Sequence, residues 1–299
     1  STGVPENAVG CPFVNKNGQV IGLMHSNGQT TAIDANYASQ LKVSGLSSLD
    51  AALRETTIRT ALPDTEEEAM TMMTLKKGQL KMQDYDKYAD EFIKKFPTSA
   101  FGYKEKALGL VNDSKYEEAA RMMETGIKKS AAKDEAHSDY SDIIYQKIIY
   151  KGDSVYTAWT LDKALDEARQ AYAIKAQPVY KHQEARILFT KGEYADAANI
   201  FLDLTKTPIN SGELYLEAAQ AKTRLKASDT EIEMLLDSAV SVGARTNMAG
   251  PYYLARGQYL ANKGQYRRAV QDFNMYDSIA RPLFPAKQEK AGLPAERQS

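Results

Sequence analysis

The chain has 299 residues, enough for one large or two small domains. Its 38 lysines and arginines face 39 aspartates and glutamates, a balance that excludes the strong basic footprint of a nucleic-acid or anionic-membrane binder. The one cysteine, Cys11, excludes an intramolecular disulfide and a multi-thiolate metal site, and the histidines His25, His137 and His182 lie far apart without ligand spacing. No cofactor, no metal and no nucleic-acid partner are therefore expected. No run of about 18 apolar residues occurs, so no spanning helix is expected. The opening STGVPENAVG has neither the charged nor the apolar stretch of a signal peptide. Either a leader was removed or the chain begins inside a longer protein.

Residues 1–60 read as a β-rich segment. CPFVNKNGQVIGLM places two short apolar runs around Lys16-Asn17-Gly18, and Asn-Gly between such runs signals a hairpin. NGQTTAIDANYASQLKV reads as a further strand and a short helix. NAVGCPFVNKNGQVIGLMHS resembles the end of a trypsin-like serine protease domain, where a Gly-Asp-Ser-Gly-Gly-Pro loop runs into such a hairpin. Anchored on Pro12, the resemblance puts the nucleophile position at Val9, flanked by Gly10 and Cys11. Valine has no group to attack a carbonyl, so the resemblance implies an inactive remnant. A protease-like segment joined to helical repeats, as read below, resembles proteins of the bacterial envelope, which implies the periplasm or the cell surface. Cys11 could be a nucleophile paired with His25, but without a base at a recognisable spacing it reads as a small, half-buried hydrophobe on a strand.

Past Pro63 the chain turns helical. Asp64 or Thr65 is the expected N-cap, with Glu66, Glu67 and Glu68 as first-turn partners of the helix dipole. A recurring pattern then appears. SKYEEAARMM, TLDKALDEAR, GEYADAANIF and GQYRRAVQDF each place an aromatic or Leu, an Ala and a further apolar residue on one helical face. From Tyr85 the markers run through Ala119, Ala164, Ala197, Ile232 and Ala269, in steps of 34, 45, 33, 35 and 37 residues. Roughly a dozen residues before the good copies sits a second apolar stripe centred on Ala107, Ala185 or Gly257. Between the stripes lie NDSK, KGE and KGQ, so each unit is helix, tight turn, helix.

This pattern resembles the tetratricopeptide repeat. Gly257, Gly264, Tyr266, Ala269 and Phe273 match the family's small residue, turn glycine, aromatic, alanine and aromatic. Ala185, Gly192, Tyr194, Ala197 and Phe201 match them again. A third copy has Asp113 or Ser114 where glycine is usual, then Tyr116, Ala119 and Met123. The unit of Ala164 carries about eleven extra residues, assigned to the turn KGDSVYTAW, and the unit of Ile232 lacks the glycine and the aromatic. The implied fold is an all-α superhelical solenoid of about five to six antiparallel helix pairs over residues 61–279, behind the small β-hairpin segment. Residues 280–299 read as a polar, proline-containing tail or the start of a further repeat. The last helix, around Phe273 and Ile279, is expected to be incompletely covered, which favours a homodimer.

The resemblance also implies function: a non-catalytic scaffold holding a protein or peptide partner in a groove lined by first helices. The alternatives are the substrate-recruiting half of a trypsin-like peptidase and a structural, self-associating subunit. Periodicity assigns the groove positions to Lys104 and Asn112, to His182, Arg186 and Thr190, and to Gln258 and Asn262. Leu108 and Leu254 replace the polar groups of a carboxylate clamp, leaving a mildly basic, amide-rich wall suited to an extended peptide. Lys104, His182 and Arg186 are expected to be exposed. His137 among its acids, the lysine pairs at 76–77, 94–95 and 128–129, Trp159, Tyr172, Tyr180 and the methionines are read as structural.

Overall fold

The computed structural model describes residues 11–26, 30–34, 61–150, 156–245 and 248–283. The chain divides into two compact units, Ser1–Ala61 and Leu62–Ser299. In the first, β1 (Pro12–Val14), β2 (Val20–Ser26) and β3 (Thr30–Asp34) form an antiparallel sheet in sequence order. The expected hairpin joins β1 to β2. Gly18 takes the left-handed conformation at φ +77°, and the Asn15 side chain accepts from the backbone of Asn17 and Gln19. Val14 then pairs with Val20 across a bulge. Cys11 departs from its reading: it precedes β1 and is exposed, its carbonyl accepting from Met24. Val9 and the helix expected around 35–41 lie outside the described residues.

The second unit holds twelve helices among its described residues. They are α1 (Glu66–Lys76), α2 (Met82–Lys95), α3 (Ala100–Asn112), α4 (Tyr116–Lys129), α5 (Lys133–Tyr150) and α6 (Leu161–Ile174). There follow α7 (Pro178–Lys191), α8 (Tyr194–Leu204), α9 (Gly212–Arg224), α10 (Asp229–Arg245), α11 (Gly250–Asn262) and α12 (Tyr266–Leu283). Each packs on the next, giving six antiparallel pairs. The starts follow local chemistry. Of the two N-cap candidates for α1 the structure selects Thr65, whose oxygen accepts from the Glu68 amide. Thr160 does the same for Lys163, and prolines open α7 and α11.

The turn inside a pair is built alike in four units. Gly192 and Gly264 adopt φ +87° and +77°, and the following amide reaches back to Leu188 or Leu260. Where the glycine is missing, Ser114 and Lys226 adopt the same left-handed state at φ 62° and 55°, and the Lys115 and Ala227 amides reach back to Leu110 and Lys222. Capping the spent carbonyls outweighs the cost of a left-handed L residue.

Small residues let the paired helices close. Ala107 and Ala185 are fully buried, and a Cβ on Gly257 would stand 2.8 Å from the Phe273 ring. The markers Ala119, Ala164, Ala197, Ile232 and Ala269 are all buried, with Met123 and Phe201 beside them. The extra residues of the third unit lengthen α5 and return as a plug. Trp159 is buried against Tyr116, Tyr140 and Tyr156, its indole N–H donating to the Tyr140 hydroxyl at 3.2 Å. The last helix runs to Leu283, past the expected start of the tail, and Val270 and Met275 on it are exposed.

First helices pack against first helices: α3 on α5, α5 on α7, α9 on α11. Among the described residues no two second helices pack in this way. A stack whose like helices touch on one side and splay on the other must curve with the touching side inward. The first helices therefore form the concave wall.

A buried acid of α6 is matched from two sides. His137 bonds Glu167, which Lys163 meets from the other side at 2.6 Å. Burial pushes the Glu167 carboxyl up, but His137 and Lys163 together outweigh it and hold the acid below its usual range. This pair thus stabilises the fold above the unfolded carboxylate range and is lost as pH falls through the lowered native value. Glu167→Gln is expected to cost about 1–3 kcal/mol at neutral pH and to flatten the acid limb of a Tm-against-pH profile. Calorimetry from pH 3 to 7 checks it. The turns give a second expectation: Gly192→Ala and Gly264→Ala should each lose about 1 kcal/mol, while Lys226→Gly should gain up to a similar amount. Urea melts with unchanged slope would carry that comparison.

Candidate functional site: the first-helix wall

The wall is built by bonds that run from one first helix to the next. The Lys104 ammonium on α3 meets Asp139 of α5 at 2.6 Å. The Ser138 hydroxyl on α5 donates to the Gln183 side chain of α7, whose amide donates back to the Ser138 carbonyl. The Tyr145 hydroxyl of α5 pairs with Thr190 of α7 at 3.1 Å, and the Arg186 guanidinium stacks 5.3 Å from the Tyr145 ring. His182 on α7 meets Glu217 of α9 at 2.6 Å, and Arg186 approaches the same carboxylate at 4.0 Å. Further along, Tyr252 of α11 fills the space left where Gly212 and Gly243 have no Cβ.

Four of the seven sequence-assigned positions, Lys104, His182, Arg186 and Thr190, thus enter one ladder across α3, α5, α7 and α9. Asn112, Gln258 and Asn262 are exposed. Asn112 stands over a small recess that Leu108 shares with the turn after α1. Gln258 and Asn262 lie on α11 in the last pair, beyond the end of the ladder on α9.

The expected exposure holds for Arg186, which is 45% exposed, but not for its neighbours. Lys104 keeps 34% and His182 21% of side-chain exposure. The reason is the close packing of first helices, which turns these positions toward the adjacent repeat. The wall is also not basic. Burial works against the charge on Lys104, but Asp139, with Asp142 and Glu105 beyond, outweighs it and holds the ammonium above its usual range. Burial pushes Asp139 up against the pull of Lys104, with Asp142 and Glu135 adding to the rise. Asp142 is likewise raised by burial, against the opposing fields of Lys104 and Arg186. Each wall cation therefore already faces a carboxylate.

Sequence reasoning missed those carboxylates, Asp139, Asp142 and Glu217, together with Tyr145. A signal existed. Lys104–Asp139 and His182–Glu217 are each 35 residues apart, and Ser138–Gln183 and Tyr145–Thr190 are each 45 apart, across the lengthened unit. These are the steps of the repeat itself. Complementary residues one repeat apart were the readable clue.

Among the described residues no group of three His, Cys, Asp or Glu side chains is placed to hold a metal ion. Nor is any described helix long and apolar enough to cross a membrane. What the arrangement offers is a preorganised polar surface with hydrogen-bonding side chains on adjacent helices.

No protein-family model matches the chain, and no curated protein matches it. Solved structures do. PilF of Pseudomonas aeruginosa aligns with TM-score 0.52 at 12% identity, over 74% of this chain and 92% of PilF. The C-terminal part of a TPR repeat-containing protein from Cytophaga hutchinsonii gives 0.51 at 11%, over 75% and 86%. Yeast Tom70 gives 0.54 at 14%, over 72% of this chain and 43% of Tom70. At such identity the likeness concerns the fold, and the fold of the helical unit is a tetratricopeptide-repeat-like α-solenoid.

Proposed function

We propose that the solenoid is a non-catalytic interaction scaffold that holds an extended protein segment along its first-helix wall. The observation that supports this most is the ladder Lys104–Asp139, Ser138–Gln183 and His182–Glu217. Side chains locked to their neighbours lose little further entropy when a ligand arrives. An extended peptide backbone presents alternating donors and acceptors. The exposed amides Asn112, Gln258 and Asn262 can serve both, because each amide donates and accepts.

The paired charges decide how this is tested. Reversing Lys104 or His182 would set a carboxylate against Asp139 or Glu217 and damage the stack itself. Neutral changes at exposed positions are cleaner. The variant Arg186→Gln, Asn112→Ala, Gln258→Ala is expected to keep the wild-type Tm within about 2 °C, since exposed changes cost little. Affinity capture from native cells should then show a partner held by the wild type and lost by the variant. A partner held equally by both would remove the binding site from this wall.

A second reading is supported by the N-terminal sheet. Phe13, Val14, Val20, Ile21 and Leu23 are exposed there, more apolar surface than three short strands normally leave to water. Such a sheet suits a fragment of a larger β-domain, in keeping with the trypsin-like resemblance, and Val9 argues that any such domain is inactive. The periplasmic or cell-surface location rests on that resemblance alone. Self-association through α12, whose Val270 and Met275 are exposed, would appear as concentration-dependent mass in light scattering.

A further inference from the structure

The second helices splay apart on the convex side, and between α2 and α4 the splay leaves a groove of about 690 Å³. Its floor is the outer face of α3. Tyr103 and Leu110 are buried beneath it and Lys106 lies between them at helical spacing, opposite the face that carries Lys104 and Leu108. Half-buried Ile93 of α2 and Met122 of α4 supply the accessible apolar side chains on either side. The volume is that of a pocket which takes several side chains.

The charges around this groove are uneven. Four cations and two carboxylates line it. Lys106 bridges Asp90 at 3.0 Å and Asp86 at 3.4 Å, which neutralises the middle. Arg121 is drawn to Glu117 of its own helix at 3.2 Å. Lys94 and Lys129 are different. Both are exposed, and neither has a carboxylate partner among the described residues. As second helices of consecutive pairs, α2 and α4 run parallel, so both lysines flank the same mouth of the groove. The helix dipole accounts for lysine at a helix end. It does not account for two such ends opening onto one groove walled by Ile93 and Met122.

We propose that this convex groove docks an acidic amphipathic helix of a partner protein. Its apolar side chains rest on the half-buried Ile93 and Met122. Its acidic residues meet Lys94 and Lys129 at the mouth. Apolar contact supplies the affinity and the lysine pair sets the direction and the choice of partner. The site is independent of the concave wall, since it uses the opposite face of α3.

The test uses the full chain and two synthetic amphipathic peptides with the same leucine stripe, one with glutamates on its polar face and one with lysines. Fluorescence anisotropy is expected to show binding of the acidic peptide, weakening as salt rises, and none of the basic one. Lys94→Glu with Lys129→Glu, both on exposed helix ends and checked by circular dichroism, should weaken the acidic peptide at least about tenfold and admit the basic one. Arg186→Gln on the concave wall should leave both results unchanged. Equal binding of the two peptides, no binding of the acidic one, indifference to the double reversal, or loss through Arg186→Gln would each overturn the proposal.

Discussion

Everything in the helical unit depends on how closely two helices of a pair can approach. A helix of about fourteen residues buries one stripe and is marginal alone. Here the stripe is completed only when a neighbour sinks onto Ala107, Ala185 or Gly257, where no larger side chain holds it off. At Gly257 the room is taken by the Phe273 ring, so the glycine and the aromatic form one contact written at two places in the sequence. Repeating that contact generates the stack. The stack then generates the inner wall and the outer grooves, because helices that touch on one side must part on the other.

This explains which features could be read from the chain. Ala185, Gly192, Tyr194, Ala197 and Phe201 were legible because each occupies a position that tolerates one class of residue: small, left-handed or large apolar. The departures were legible too. Eleven extra residues announced an unusual third unit, and Trp159 among them proved to be the plug that seals it. Ser114 and Lys226 show the limit of such reading. Neither residue type signals a left-handed turn, and both are forced into one by the carbonyls that need capping. The hairpin around Gly18 was equally clear, whereas Cys11 fell one residue short of the strand and so stayed in solvent.

The wall was legible as a set of positions but not as an electrostatic surface. Periodicity places Lys104, His182 and Arg186 on one face of their own helices. It is silent on what the next repeat sets against them. In a solenoid that neighbour lies one repeat away in sequence, so Asp139 and Glu217 were present on the page at a separation of 35 residues. A cation counted alone made the wall look basic. Counted with its counterpart one repeat on, it becomes part of a pair that is half withdrawn from water. Such pairs contribute less to net charge than to geometry, since each ties two helices into a fixed relation.

The same reasoning separates the two faces of the molecule. On the inner side the repeats are close enough for polar side chains to satisfy one another, so Lys104 and His182 are committed before any ligand arrives. On the outer side the distance between α2 and α4 leaves that closure incomplete. Lys106 finds Asp86 and Asp90 on α2, while Lys94 and Lys129 line the groove and stay exposed. Curvature therefore sorts the charges: those inside become structural partners, and those at the outer mouth stay exposed. The inner wall is left with exposed amides and the Arg186–Tyr145 stack, and the outer groove with half-buried apolar side chains beside two lysines.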